Sequence, residues 1–538
     1  MPESKAMRPR PRGDETEYQI MRRIEKGKGY AANQEHAGCM FMAHARPEWF
    51  GGFLLGGDCL PWCRCILPDG SVFYLDAMQA EMATRVCLSA KDLLRALLGC
   101  HRVIDEIRKE HEKNGLFFEV YRNNSAIVPG NDCYDSFRAY EYYDRSSCGH
   151  HDNYSVWRFV PLEKLRDRLL PHLITRQLFA GAGKAGSDRS EPELNADYQI
   201  SQRADFMYRV EGMDTTKLRA LFNTHDGSHA DPERFRRLHV ITSDSNMLQM
   251  PSFLTSVTMD LMLSMIEDDE LDDRFTLVDP VAAFLMISRD LTLREYKIEF
   301  CGNQKSMCAL DMLRALTDMA DDYANHYHPD EKEFHEGVKY LAEILDKMAE
   351  NEWDWLSKRV DWIAKKKLID DYFDCKGGEW NYNRARQIDI KYGLNNYEQG
   401  LYRIIEKNSV LLVPPDEVSC SSPSGGRSQF IRGIAEIFGD FVTYSDSWSS
   451  IMLKHAGHNP LYYVLKFTDP RIAYAREHHE LFSLPLPEFV SAAAAHIPGF
   501  ECTMYGADQE PPELDFDFDD DPDPDPYDSE SFFNMPRI

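Results

Sequence analysis

The 538-residue sequence contains no run of eighteen apolar residues, so neither a membrane-spanning helix nor a membrane partner is expected. It is also poor in positive charge. Against 89 Asp and Glu stand only 61 Lys and Arg, and the formal net charge of −28 argues against a nucleic-acid binder that works by neutralising phosphates. The thirteen cysteines are odd in number and scattered rather than framed. No apolar stretch follows the basic residues of the first twelve positions, so no secretory signal is expected, and reduced thiols in a cytoplasm are the simplest reading. Cys59, Cys63 and Cys65 are closely spaced but lack a matching second pair at zinc spacing, which makes structural thiols the expectation. No internal repeat at a fixed period is present.

What the chain does have is 43% hydrophobic and 12% aromatic residues, enough for a large core and more than one domain. Much of the negative charge is local. Twelve acidic and no basic residues lie between Asp508 and Glu530, leaving about −16 on the rest of the chain. Alternating Asp and Pro there prevent helix and packed strand, so an acidic disordered tail is expected over 499–538. Its bland reading is a solubilising extension, and its sharper one is competition with an acidic partner for a basic groove. An acidic body can still hold nucleotide phosphates if a cation or a few placed arginines assist.

Pattern reading gives a mixed order of elements. The Pro- and Arg-rich residues 1–12 are expected to be mobile, and residues 28–70 mostly loop. Strands are expected over 13–24, 71–77, 117–122, 153–159, 198–202 and 237–242. Helical spacing of apolar residues marks 91–112, 251–267 (with Pro251 tolerated in the first turn) and 331–374. His478 and His479 belong on a solvated helix face. The Pro-, Ser- and Gly-rich stretch 413–426 marks a boundary. An α+β fold follows, with domains at 13–412 and 427–498 before the tail.

Two pairs of oxygen-bearing residues are the candidates for chemistry. In GDETEY, Glu15 and Glu17 are two apart, which on a strand points both to one face. Like charges side by side mean either a solvated face or a cation site. Tyr74 and Asp76 repeat the spacing, with Glu81 following a short turn. Two such strands could hold magnesium, with nucleotide phosphates completing the shell.

GDETEY and DGSVFYLDAMQAEMATRVC (Asp69 to Cys87) resemble the first two motifs of the Pup ligase/depupylase family. So do HLITRQLFAGAGK (His172 to Lys184), YQISQRADF (Tyr198 to Phe206), the stretch from Asn223 to Met247, RVDWIAKKKL (Arg359 to Leu368) and SWSSIML (Ser447 to Leu453), in collinear order. The resemblance implies a glutamine-synthetase-like large domain whose curved antiparallel sheet, backed by helices, cradles ATP and Mg2+, plus a small C-terminal domain. It implies Asp76 as the catalytic aspartate. It places Glu15, Tyr74, Glu81, Glu17, His151 and His239 at or near the metals, and Thr84, Asn246 and Trp448 near the nucleotide. The implied partners are a small Pup-like (or UBact-like) modifier and target-protein lysines, with a link to proteasomal degradation. The motifs after His172, at Ser243 to Met247 and after Asp361 read closer to the ligases than to the depupylases. The implied reaction is ATP-dependent ligation of a modifier's C-terminal glutamate side chain to lysine. Its rivals are hydrolysis of that linkage, ligation of a small amino acid, and a non-catalytic modifier-binding role.

The chain departs from the family at three positions. Val72 replaces an arginine, and His225 and Gly227 replace an arginine and a glutamate in the family's counterpart of THDGSHAD. A neutral imidazole cannot reproduce a guanidinium fork, so Arg219, Arg203 or another arginine must compensate, or the acyl substrate differs.

Overall fold

The computed structural model describes residues 4–26, 28–29, 37–49, 53–55, 64–76, 79–125, 147–189, 191–302, 304–418, 427–445, 449–455, 461–471 and 476–506. Trp448, Cys59, Cys63, His478 and His479 therefore carry expectations that lie outside the residues or side chains described, as does the chain beyond 506.

The organising element is strand β1, Arg12–Arg23, whose even-numbered residues from Asp14 to Ile20 are buried while the odd ones between them are only half-buried. That period of two is the signature of a strand with a core on one side. β1 sits inside an eight-stranded sheet formed with β2 (Phe53–Leu55), β3 (Arg64–Ile66), β4 (Val72–Asp76), β5 (Gln79–Ala83), β6 (Phe117–Tyr121), β7 (His150–Trp157) and β12 (Phe235–Val240). The short pairs β8/β9 (Lys184–Ala185, Tyr198–Gln199) and β10/β11 (Arg209–Gly212, Ala220–Asn223) stand apart from it. Along the main path the order is β12-β7-β1-β5-β4-β3-β2, every neighbour is antiparallel, and β6 pairs the second half of β1.

Helices cover the even face. The helix Ala90–Lys113, capped by Ser89 Oγ accepting from Asp92 N, lays Val103, Ile104 and Ile107 against Tyr18, Ile20, Ala80 and Met82. The helices Leu162–Thr175, Gln249–Glu267, Ala309–Tyr327 and Lys332–Glu350 build the largest core, and Gln249–Glu267 is buried over nearly its whole surface. The result is a mixed α+β architecture, a large antiparallel sheet with helices packed on it.

Several expectations need correction. The N-terminal segment is pinned rather than mobile: Arg10 Nε and Nη2 lie 2.7 Å from Asp260 and Glu267, Arg8 and Arg12 also reach Asp260, and Arg10 is fully buried. The stretch 28–70 is not uniformly loop, because the helix Ala37–Ala43 buries Phe41 against Phe73 and Phe118, and β3 joins the sheet. The strand expected over 198–202 shrinks to Tyr198–Gln199, and β7 begins three residues earlier than expected. The helical stretch 331–374 is broken at Asn351, which adopts φ 60° and ends Lys332–Glu350 before the chain resumes as Trp353–Leu356 and Asp361–Lys376.

The C-terminal unit joins the helices Arg427–Phe438 and Leu486–His496 to a four-stranded antiparallel sheet, β13 (Val442–Ser445), β14 (Ser450–His455), β15 (Leu461–Phe467) and β16 (Phe500–Tyr505). β16 continues ordered structure past Pro498, where the tail was expected to begin. The apolar cluster of this unit includes Ile66 and Val72 from the large sheet. Val72, where the family pattern has arginine, is thus fully buried in the joint between the units.

Candidate active site

The register of the sheet gathers the acidic residues. Glu17 lies opposite Glu81, Tyr74 opposite Glu81, Glu15 opposite His151, and His239 opposite Asn153. Directly opposed residues share a face. One face of β12, β7, β1, β5 and β4 therefore displays Glu15, Glu17, Tyr74, Asp76, Glu81, His151 and His239. This is the odd face of β1, opposite the helical core.

Two groups of ligand atoms stand there, Glu15 with His151 and His239, and Glu17 with Asp76 and Glu81; in each, the atoms lie within 4.8 Å of one another. Glu15 Oε2 is 3.5 Å from His151 Nδ1 and 4.0 Å from His239 Nδ1. Tyr74 Oη donates to Glu81 Oε1 at 2.8 Å, and Gly149 N donates to Glu17 Oε2 at 2.6 Å.

The electrostatics separate the groups. Burial opposes charge on Glu15, but the His151 hydrogen bond and the charge of Arg237 outweigh it and hold the carboxyl well below its usual range. Burial, with Asp76, Glu15 and Glu17 nearby, pushes Glu81 well above its usual range despite the Tyr74 bond. Tyr74 is driven upward by burial and by the charges of Glu81, Glu15 and Asp76. Burial and Arg237 keep His239 well below an ordinary histidine, hence neutral and able to ligate.

A magnesium ion, expected from the resemblance, fits these residues. Both ring nitrogens of His239 are buried without a hydrogen-bond partner, and ligand atoms of three carboxylates converge within 4.8 Å of one another. Like charges brought this close are stabilised by a cation between them.

Arginine 237 was not anticipated. It lies two residues before His239 on the same strand face, with Nη1 3.5 Å from Glu15 Oε1 and 3.4 Å from Asn153 Oδ1. The alternation Arg-x-His in FRRLHV was the available signal. Arg203 does not replace the missing guanidinium, because its nitrogens go to Ile241 O, Ser147 Oγ and Cys148 O. Arg219 is better placed: it is buried, its Nε has no partner, burial lowers its pKa, and Glu17 opposes that shift.

Two expected nucleotide residues are placed differently. Asn246 does not reach the cradle; its Nδ2 donates to Ala180 O at 2.9 Å, and it lines an internal polar cavity on the other side of the sheet with Asp14, His150 and Arg176. β12 ends at Val240, and the chain then continues toward this cavity. Thr84 Oγ1 accepts from Asp14 N at 2.9 Å, a structural bond, although the residue still edges an open cleft of about 580 Å³. Glu15, Asn153, Arg237 and, from the C-terminal unit, Arg427 also line that cleft, which is adjacent to the cation ligands and has basic walls.

A carboxylate-rich face with an adjoining cleft lined by Arg237 and Arg427 is an arrangement that could hold a cation and an anionic ligand together. The family model described as Pup-ligase protein matches residues 10–451, and the chain belongs to that family. It is 31% identical over 379 residues to a Pup--protein ligase of Kocuria rhizophila, covering 67% of this chain and 77% of the relative. It is 28% identical over 410 residues to a depupylase of Acidothermus cellulolyticus, covering 74% and 76%. The fold matches the crystal structure of the complex between the prokaryotic ubiquitin-like protein Pup and its ligase PafA, with a TM-score of 0.72 at 23% identity over 91% of this chain and 93% of the other. It also matches PafA in complex with ADP, with a TM-score of 0.67 at 24% identity over 78% and 89%.

Proposed function

We propose that this protein is an ATP-dependent isopeptide ligase of glutamine-synthetase type. It joins the side-chain carboxylate of the C-terminal glutamate of a small Pup-like modifier to lysines of target proteins. The observation that carries the reading is the convergence of Glu15, Glu17, Asp76 and Glu81 on one sheet face beside a basic cleft, in a chain of the Pup-ligase family. PafA, similar in fold, has been crystallised with Pup and with ADP, which supports ATP and a Pup-like protein as substrates here.

A free carboxylate is a poor acyl donor because its leaving group would be oxide. Transfer of the ATP γ-phosphoryl group onto it gives an acyl phosphate with a good leaving group. The lysine nitrogen then forms the amide bond, the carbon–oxygen bond to phosphate breaks, and phosphate leaves. Mg2+ held by the two groups would neutralise the phosphoryl oxygens. Glu15, His151 and His239 form one side of this cradle, with Glu17, Glu81 and Tyr74 on the other. Asp76 is half-buried, unlike the buried Glu81, and accepts the lysine proton. Arg219 and Arg237 bind substrate anions.

The test combines purified protein, a Pup-like modifier ending in Glu, a lysine-bearing target and Mg-ATP, with conjugates read by mass spectrometry. Conjugation should require ATP, and Asp76→Asn should slow it by about 10²–10⁴-fold while nucleotide still binds. An Asp76→Asn variant with full activity would sink the assignment. The similarity to a depupylase over 410 residues favours hydrolysis as the second reading, and cleavage of a preformed conjugate without ligation would establish it.

A further inference from the structure

Cross-strand pairing sets Phe235 opposite Trp157 where β12 begins and β7 ends, and the two rings stack 5.3 Å apart at 21°. Phe159, two residues beyond Trp157, stacks on it in turn at 6.4 Å and 20°, and at 61% exposure it leaves the stack of three ending on a ring open to solvent. Arginines surround these rings. Arg471, from the C-terminal unit, lies 5.4 Å from the Trp157 ring and 5.7 Å from Phe235, and Arg234 lies 4.8 Å from Phe235. Each nearby carboxylate serves two guanidiniums: Asp226 pairs with Arg158 and Arg236, and Asp469 with Arg471 at 2.7 Å and Arg234 at 3.5 Å. Asp231 and Glu233 lie in the turn before Arg234, and Asp231 Oδ1 accepts from Glu233 N at 3.0 Å. Burial, together with the charge of Arg158, pulls Arg236 below its usual range although Asp226 opposes it. A solvent-facing ring ringed by guanidiniums suits a ligand that brings both aromatic rings and carboxylates.

The chain carries such a segment. Residues 513–521, ELDFDFDDD, hold six acids, two phenylalanines and no basic residue. We propose that this segment docks on the Phe159 stack, with Phe516 and Phe518 extending the stack and Asp519, Asp520 and Asp521 pairing with Arg158, Arg236 and Arg471, and so straps the C-terminal unit to the edge of the large sheet. In an extended chain Phe516 and Phe518 fall on one side, as stacking on one surface requires. The segment can reach. β16 runs back along β15 from Phe500, opposite Phe467, to Tyr505, so the chain leaves at the end of the strand away from Asp469 and Arg471. The return along β16 is about 17 Å, and the eleven steps from Tyr505 to Phe516 span up to about 36 Å. A tether of that length gives roughly millimolar effective concentration, so modest contacts suffice. The strap would lie beside the cleft, because Pro470 and Arg237 line the cleft and Asp226 Oδ1 accepts from Arg237 N at 3.0 Å. Docking of this kind is independent of whether the reaction is ligation or hydrolysis.

The test is hydrogen–deuterium exchange of the full-length protein, read by mass spectrometry beside a free peptide of residues 513–521. The amides of that segment should exchange about tenfold or more slowly in the protein than in the peptide, and the protection should weaken in about 1 M NaCl. Phe159→Ala, at an exposed ring, should return them to the free-peptide rate. Phe516→Ser with Phe518→Ser should do the same while every described element of the fold stays intact. A labelled 513–521 peptide should then bind this double variant at least about tenfold more tightly than the unaltered protein, whose own segment fills the patch. Free-peptide exchange rates in the unaltered protein, or protection untouched by Phe159→Ala, would overturn the proposal. Protection that disappears on dilution would place the segment on a second copy and overturn the strap.

Discussion

Single residues show how closely the cradle is built. A Cβ at Gly149 would lie 2.3 Å from His151 Nε2 and 2.9 Å from Glu17 Oε1, so one ligand of each cation group depends on the absence of a side chain there. Gly149→Ala is expected to lower divalent-cation affinity about tenfold or more, as displaced ligands do, and titration calorimetry would read it. Away from the cradle, burial pushes His111 down to about 4 and His172 down to about 3 from an ordinary value of 6.5. Both histidines stay neutral in the fold while the unfolded chain takes up protons below pH 6.5. Their contribution is therefore complete above that pH and is lost as pH falls toward 4, at about 1.4 kcal/mol per pH unit for each. The thermal midpoint should drop between pH 7 and 5, and His172→Asn should make that dependence shallower; a flat profile would contradict the assignment. At this scale the sequence was informative where spacing decides geometry. Glu15 and Glu17, and Tyr74 and Asp76, share a face because a strand has a period of two. It was silent on Gly149 and gave for Arg237 only the local Arg-x-His alternation, because the importance of both arises from strands far apart in the chain being brought into register.

Among elements, the largest surprise is the N-terminal segment. Pro and Arg in a short terminal stretch read as a mobile tail, yet Arg8, Arg10 and Arg12 converge on Asp260, with Glu267 completing the charge around Arg10. Those acids lie on the helix Gln249–Glu267, about 250 positions away, so local patterning held no sign of them. The network ties the start of β1 to the helix behind it and so supports the strand carrying Glu15 and Glu17. Arg10→Ala leaves Glu267 and Asp260 buried and undercompensated, and is expected to cost about 3–5 kcal/mol in chemical denaturation. Added salt should change this little, since buried pairs are poorly screened. Amphipathic elements were easier to read. The helix Ala90–Lys113 was expected within one residue at each end, because its apolar stripe is a local signal.

For the molecule as a whole, Val72 and Ile66 join the large sheet to the C-terminal unit through apolar packing, and Arg427 extends from that unit into the cleft beside Glu15. The unit therefore serves as one wall of the cleft as well as an appendage. That explains why an otherwise acidic sheet face carries a buried valine on β4. Composition and order of elements sufficed for the α+β class, and collinear motifs for the family. Neither showed that Asn246 would turn behind the sheet, since a strand's end depends on what packs beyond it. The central claim, activation of a carboxylate by phosphoryl transfer, is tested most directly with a modifier whose terminal glutamate side chain carries oxygen-18. Ligation through an acyl phosphate predicts one labelled oxygen in each phosphate released per conjugate formed. Conjugation that releases only unlabelled phosphate, or label that stays entirely with the modifier, would contradict it.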